Sequence, residues 1–314
     1  MASSATSAKL AKFVLFVVVL ILLAFSIYWL WQRQPKIQNQ EKSKEIESIH
    51  SQTEPVTNSS IKPPNFSVLS DNIAKIAGKA SPDSLVAIFS NSNSTVTQTE
   101  ANGNFETDFE LTEGLNQIAI VTFSKSDLAP TNTKYIDYYL KNGKEKLPEK
   151  AVLYSGPVKS IFDTLTTVST TEGDKKAQTK KTSELLLPED EEETNATTSA
   201  LSGIRIGDFA IALGTVDKEG AMSIQKLQIM RDPKPQISKS IVAVKILKEP
   251  KSNLFSANNL KDNKIIEFNL NKNSLVYIND QKAETKSILK EKRAVIFFEK
   301  EKDKNIAGFV YILP

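Results

Sequence analysis

The stretch NGNFETDFELTEGLNQIAIVTF (residues 102–123) decides how this chain is read. Asn102, Gly103 and Asn104 tolerate positive φ, as a tight hairpin turn requires. Beyond the turn, Phe105, Phe109 and Leu111 keep a period of mostly two, which turns one face of a strand inward and leaves the other to water. The same pattern extends in both directions, giving candidate strands at Phe66–Leu69, Ile73–Gly78, Leu85–Ser90, Thr95–Glu100, Phe105–Leu111, Asn116–Phe123 and Lys134–Leu140. Turn residues interrupt them about every 8 to 12 positions. Seven such strands within residues 65–141 predict a β-sandwich.

These residues also carry a resemblance. The order Asn102-Gly103-Asn104-Phe105, Phe109, Leu111, then Glu113-Gly114-Leu115-Asn116-Gln117-Ile118, resembles the bacterial Ig-like family, whose members show a G-x-F strand followed by an L-x-x-G-x-N turn. Ala77-Gly78-Lys79-Ala80-Ser81-Pro82 matches the family's strand-to-turn passage. The resemblance implies a seven-strand sandwich serving as a spacer or binding module on cell surfaces, without catalytic residues. Ser126 to Asn132 departs from it, being longer than the usual turn.

Upstream, Phe13 to Trp31 (FVLFVVVLILLAFSIYWLW) is an apolar run interrupted by one serine. As a helix it would span about 28 Å, close to the hydrocarbon thickness of a bilayer. A cleavable signal peptide is the rival reading, with Lys9 and Lys12 before the run and Ala24-Phe25-Ser26 as a cleavage triplet. The run continues past that triplet and ends in Tyr28, Trp29 and Trp31, an interfacial aromatic belt, so a retained anchor is expected. With no cysteine in the chain, a thioether- or thioester-linked lipid is excluded. Residues 1–12 then form a cytoplasmic tail and 32–64 a polar flexible stalk. The positive flanks alone do not set the orientation; the long β-rich part is expected to be extracellular.

Residues 151–236 and 237–314 read as two degenerate copies of one small β-module, offset by about 84 positions. Gly156-Pro157-Val158 opens the first and Ser240 to Ile246 the second. Leu165–Ser169 and Ser183–Leu187 are matched with Ile265–Leu270 and Ser274–Ile278. The first copy closes with Ile206-Gly207-Asp208-Phe209 through Gly214, a turn at Asp217-Lys218-Glu219-Gly220, and a strand through Ile229; the second with Ala294 to Phe298, Lys302 to Asn305, and Phe309 to Leu313. The first closing phrase resembles a β-barrel domain of unknown function found in bacterial exported proteins. The second copy has Glu291-Lys292 in place of Gly-Asp. Strand count and size suit an OB-like barrel. The fold class is thus mainly β: an N-terminal transmembrane helix, an Ig-like β-sandwich, and two small OB-like β-barrel modules.

The chemistry is sparse. The single histidine, His50, lies in the stalk, which removes Ser-His-Asp triads and His- or Cys-based zinc sites from the folded part. Asp208 is the one carboxylate worth testing as catalytic, but Gly207-Asp208 reads better as a turn in which the side chain bonds nearby amides. The acidic run 189–193, inside an insert 188–202, lacks the spaced ligands and turn glycine of a calcium loop and reads as a solvated loop. Glu172-Gly173-Asp174-Lys175-Lys176 reads as a charged hairpin tip. No catalytic, cofactor-binding or metal residue is assigned, and no cofactor is expected.

Charge is uneven. Six basic side chains face nine acidic ones over residues 62–141, while fifteen face nine over 237–314. Lys282, Lys286, Lys290, Lys292, Arg293, Lys300, Lys302 and Lys304 form the one candidate binding surface, for an anionic cell-wall polymer; lysines that merely keep sheet edges solvated are the plainer reading. Nucleic acid is not an expected partner. The sequence therefore predicts a single-pass membrane protein whose stalk carries a string of binding or spacer β-domains, meeting a wall polymer or another surface protein. The alternatives are a cell-wall hydrolase or processing factor using Asp208, and an accessory subunit of a membrane complex.

Overall fold

A computed structural model describes residues 61–188, 201, 203–231 and 237–313. The expected tail, membrane span, His50, all of the stalk before Ile61 and nearly all of the acidic insert lie outside these residues. The described part is mainly β, and among the described residues no helix is long and apolar enough to cross a membrane.

The first domain contains β1 (Val68–Leu69), β2 (Ile73–Lys79), β3 (Ser84–Phe89), β4 (Ser94–Gln98), β5 (Asn104–Glu110), β6 (Gly114–Ser124) and β7 (Pro130–Leu140). One sheet has the order β1-β7-β6-β3-β4, with β1 parallel to β7, and β2 pairs with β5 in the other. The two sheets enclose a core of Ile76, Val86, Ile88, Phe105, Phe109, Ile118, Ile136 and Tyr138. All seven sequence-predicted strands are present within a few residues of their expected ends. The stalk boundary moves, however: Ile61 is buried in this core, Lys62 exchanges two backbone bonds with Ala77, and the Tyr138 hydroxyl donates to the Pro63 carbonyl at 2.6 Å. An apolar side chain at 61 fills the sandwich, so the domain starts there rather than at 65.

The second domain contains β8 (Val152–Phe162), β9 (Leu165–Thr170), β10 (Gly173–Gln178), β11 (Glu184–Leu186), β12 (Phe209–Val216) and β13 (Met222–Met230). The third contains β14 (Ser240–Lys251), β15 (Leu254–Asn259), β16 (Ile265–Ile278), β17 (Gln281–Ala283), β18 (Arg293–Glu301) and β19 (Lys304–Ile312). Each closes into a five-stranded barrel. In the first, β8-β9-β10 join β13 and β12, with β10 parallel to β13; in the second, β14-β15-β16 join β19 and β18, with β16 parallel to β19. Counting barrel strands from one to five, both circuits run 1-2-3-5-4-1, and closure leaves few free edges.

The internal match differs from the sequence alignment. Leu165–Ser169 corresponds to Leu254–Asn259, because Ile265–Leu270 and Ser274–Ile278 are two halves of the single bent strand β16. Its first half pairs with β15, and its second half pairs with β19 beyond a register shift between Leu270 and Leu275. Ser183–Leu187 belongs to the edge strand β11, outside the closed circuit. At the closing turns the copies agree closely. The Gly207 amide donates to the Val158 carbonyl and the Val158 amide to the Asp208 carbonyl; in the second barrel the Glu291 amide donates to the Ile246 carbonyl and the Ile246 amide to the Lys292 carbonyl. Glu291 (φ 67°) adopts the left-handed conformation that Gly207 (φ 95°) holds in the first barrel.

The three domains do not form a loose string. The sandwich lies between the barrels, joined to each by buried apolar side chains. Leu85, Ala87, Phe89, Val121 and Phe123 leave the outer face of the β6–β3 sheet and pack on Ala243, Val295, Phe297, Phe309 and Tyr311 of the second barrel. Phe66 and Tyr139 pack on Leu153, Phe209, Ile211 and Leu213 of the first barrel. The long turn that departs from the Ig-like pattern serves the former interface: Leu128 is buried in it, and Arg293 donates to the Ser126 carbonyl at 2.8 Å.

Candidate functional site

Where the sandwich meets the first barrel, the apolar contact stops short and leaves a cleft of about 670 Å³. One wall is the outward face of the start of β6, with Leu115 and Gln117, beside Tyr139 of β7. The other is the outward face of β12 and β13, where the register sets Phe209 beside Met230 and Ile211 beside Gln228. The period-two side-chain alternation of a strand puts Lys226, Gln228 and Met230 on that one face. The loops at Ser90-Asn91-Ser92 and Thr112-Glu113-Gly114 form the rim. Asn116 holds the latter turn in place, accepting from the Thr112 amide at 2.9 Å and donating to its carbonyl at 2.7 Å.

An ion pair closes one end. Lys226 donates to Glu145, which also accepts from the Tyr139 hydroxyl at 2.8 Å and the Asn142 amide at 3.2 Å. Burial alone would raise the Glu145 carboxyl, but the bonds from Lys226 and Tyr139 outweigh it and hold it below the usual value. Burial, then the adjoining Glu145 carboxylate, pushes the Tyr139 hydroxyl well up, so it remains a donor. Sequence reading missed this group, since Glu145 in the linker after the last sandwich strand and Lys226 in the first barrel are ordinary charged residues about eighty positions apart.

Two smaller cavities border the cleft. One of about 230 Å³ shares Gln117 with it and reaches Asp137 and Lys239. Another of about 300 Å³ shares Asn91 with it and Lys239 with the former. Asp137 joins domains: its carboxylate accepts from Ser155 of the first barrel at 2.5 Å, while its amide donates to the Asn65 side chain. Burial raises the Asp137 carboxyl despite those bonds from Ser155 and Gln117.

The sequence-derived candidates fare differently. Asp208 is buried in the turn expected for it, accepting from the Arg205 amide at 2.8 Å with the Arg231 guanidinium 3.8 Å away. The Glu172–Lys176 segment is a hairpin end, tied down by Lys159 to Asp174 and by the Thr170 hydroxyl to the Gly173 carbonyl. The basic residues do not assemble into one face. Lys290, Lys292 and Arg293 stand at one end of β18, Lys300, Lys302 and Lys304 at the other, about 26 Å apart at a strand's rise. Acids intervene: Lys286 pairs with Glu284 at 2.7 Å, Lys245 pairs with Glu291 at 2.5 Å, and Arg293 is occupied at the domain interface. Among the described residues, no three acidic, histidine or cysteine side chains gather where a metal ion would sit.

No family model and no curated protein matches the chain. Among solved structures it is similar to a Ca2+-stabilised adhesin described as helping an Antarctic bacterium reach out and bind ice, at 8% identity over 83% of this chain and 73% of that one, with a TM-score of 0.19. It is also similar to a structure described as giving insight into host cell surface retention of a 1.5-MDa bacterial ice-binding adhesin, at 10% identity over 83% of this chain and 94% of that one, with a TM-score of 0.17. Scores this low carry no argument about function.

Proposed function

We propose that this chain is a single-pass, membrane-anchored surface protein whose β-domains bind a partner and catalyse nothing. Phe13 to Trp31 is the anchor, residues 32–60 the stalk, and the sandwich an Ig-like module followed by two OB-like barrels. The pairing order of the sandwich supports the Ig-like reading, and the 1-2-3-5-4-1 circuits of the barrels support the OB-like one. One observation carries the binding role: apolar packing fixes the sandwich against the first barrel beside a preformed cleft, at which Lys226 and Glu145 neutralise each other. Pre-organisation of this kind lowers the entropic cost of binding. Asp208, the best catalytic candidate, is committed to its turn.

The test uses the full chain in its own membrane and a version lacking residues 13–31. The full chain should stay in the pellet after a carbonate wash, with its C-terminal part degraded by protease added to intact cells. Asp208→Asn should leave partner capture from crosslinked cells intact. Release of the full chain by carbonate overturns the anchor; protection from protease overturns the orientation.

A further inference from the structure

We infer that the free edge of β4 takes up an extended strand of a partner polypeptide, which lengthens the five-stranded sheet of the sandwich by one. β4 pairs only with β3, in one unbroken register. At the two ends of that pairing the Thr99 amide donates to the Ser84 carbonyl and the Ser90 amide to the Asn93 carbonyl, at 2.9 Å each. Along an antiparallel pair the backbone groups of successive residues point to opposite sides, so Thr95 and Thr97 bond to β3 as Asn93 and Thr99 do. The amides and carbonyls of Ser94, Val96 and Gln98 point the other way, a donor beside an acceptor about every 6.8 Å. Among the described residues no other backbone group takes them up. Another strand repeats a donor and an acceptor side by side at that interval; a glycan does not.

The edge is also unguarded by its sequence. Sheets protect free edges with charge, proline or bulges. Here β2 carries Lys75, β5 carries Glu106 and Asp108, β11 carries Glu184 and β17 carries Lys282. β4 reads Ser-Thr-Val-Thr-Gln, with no charge, proline or bulge.

The surroundings shape what fits. Beside the edge lies a groove of about 220 Å³, with Thr107 of β5 on one side and Tyr277, Phe309 and Tyr311 of the second barrel on the other. Val96 stands beside Ala87 on the face turned to that barrel, whereas Thr95 and Thr97 stand beside Ile88 and Val86 on the face turned to the sandwich core. An added strand alternates in the same way, so every second side chain meets aromatic rings and those between meet threonine hydroxyls. Asp280 bears the one formal charge of the lining and accepts from the Tyr311 hydroxyl at 3.0 Å, which disfavours an acidic strand. Flanking walls favour a flexible segment over edge-to-edge pairing with a second folded copy.

This inference rests on the proposed binding role, names a partner class for it at a site apart from the cleft, and owes nothing to the membrane anchor. Random twelve-residue peptides displayed on phage are panned against the purified full chain in detergent, and enriched sequences are resynthesised with blocked ends. They should share a short run free of Asp and Glu, with apolar residues at alternate positions. Bound peptide should slow hydrogen exchange at the amides of Ser94, Val96 and Gln98 and leave those of Thr95 and Thr97 unchanged. Methylating alternate peptide amides should abolish binding in one phase and spare it in the other, since only every second amide of an added strand faces β4. Gln98→Pro removes one outward donor and no bond to β3, and should weaken binding about tenfold. Should that change disturb folding, the methylated peptides carry the test on the unaltered chain. No enrichment, equal binding by the two methylated peptides, or binding without protection of the three outward amides would overturn the inference. Partner capture from crosslinked cells is a separate readout, so failure here and failure of the binding role are distinct results.

Discussion

Phe89 of the sandwich and Phe297 of the second barrel test whether the domains form one body. Their rings meet edge to face at 5.3 Å, and Phe297 meets Phe309 the same way at 5.2 Å. Phe297 is 1% exposed, yet it lies outside its own barrel's core, which is built from Val244, Ile246, Phe255, Phe268, Ala294 and Ile296. Its burial is therefore supplied by the sandwich. If the domains were independent beads, Phe297→Ala would be a surface change worth under about 0.5 kcal/mol. In the packed arrangement it removes a fully enclosed aromatic ring, at about 3–5 kcal/mol. The double change with Phe89→Ala should reveal a coupling of about 0.5–1.5 kcal/mol from the ring pair. Urea unfolding followed by far-UV circular dichroism is the suitable assay, since both tryptophans (Trp29 and Trp31) lie outside the domains. A cost below about 0.5 kcal/mol together with additive single changes would refute the packing.

Three further outcomes follow from the geometry. Asp137 has a folded-state carboxyl raised by burial, so its contribution to stability falls as pH rises from the ordinary carboxylate value through the raised one; Asp137→Asn should stabilise the protein at pH 7 and lose that advantage near pH 3, in melts recorded across that range. At Gly156 (φ 151°), an added Cβ would lie 2.0 Å from the Ser169 carbonyl oxygen, where β8 leaves β12 for β9, so Gly156→Ala should cost about 3 kcal/mol or more and expose the first barrel to limited proteolysis. Glu291→Gly should change stability by less than about 1 kcal/mol, whereas Glu291→Val should lower it by about 1–2 kcal/mol in the same urea titration, because only the latter opposes the left-handed backbone that the turn imposes.

The sandwich was legible because its strands are short, punctuated by turn residues, and built around a hairpin at Asn102 to Asn104 whose Asn102 side chain accepts from the Asn104 amide. Gly103 there has φ 82° and lies against the Ala80 carbonyl, so the glycine that anchored the reading is required by the turn. The repeat was legible in order but not in register. Leu254–Asn259 is polar enough to pass for a loop, and β16 bends around the barrel, so one strand resembled two. The second copy's Glu291-Lys292 concealed a turn that its backbone keeps. The cleft was not legible at all, since its walls come from strands about a hundred positions apart and its charged end joins two residues with no local pattern.

The arrangement of the domains had a signature that strict alternation obscured. Strand β5 alternates cleanly between buried and exposed positions, as a strand with one solvated face should. Leu85–Phe89, Ile118–Phe123, Phe209–Leu213 and Ala294–Phe298 do not alternate; each is apolar almost without interruption. In an antiparallel sheet, such a run leaves two faces to cover, and one core accounts for only one of them. Every second residue of β3 fills the sandwich, while Leu85, Ala87 and Phe89 between them meet the second barrel. In β12, Ala210 and Ala212 face the barrel core, and Phe209, Ile211 and Leu213 meet the sandwich. The small residues point into the crowded barrel and the large ones point out, the reverse of what an isolated domain in water would favour. Large outward side chains on β12 thus fix the first barrel against the sandwich, and the point where their contact ends, at Gln228 and Met230, is where the cleft opens.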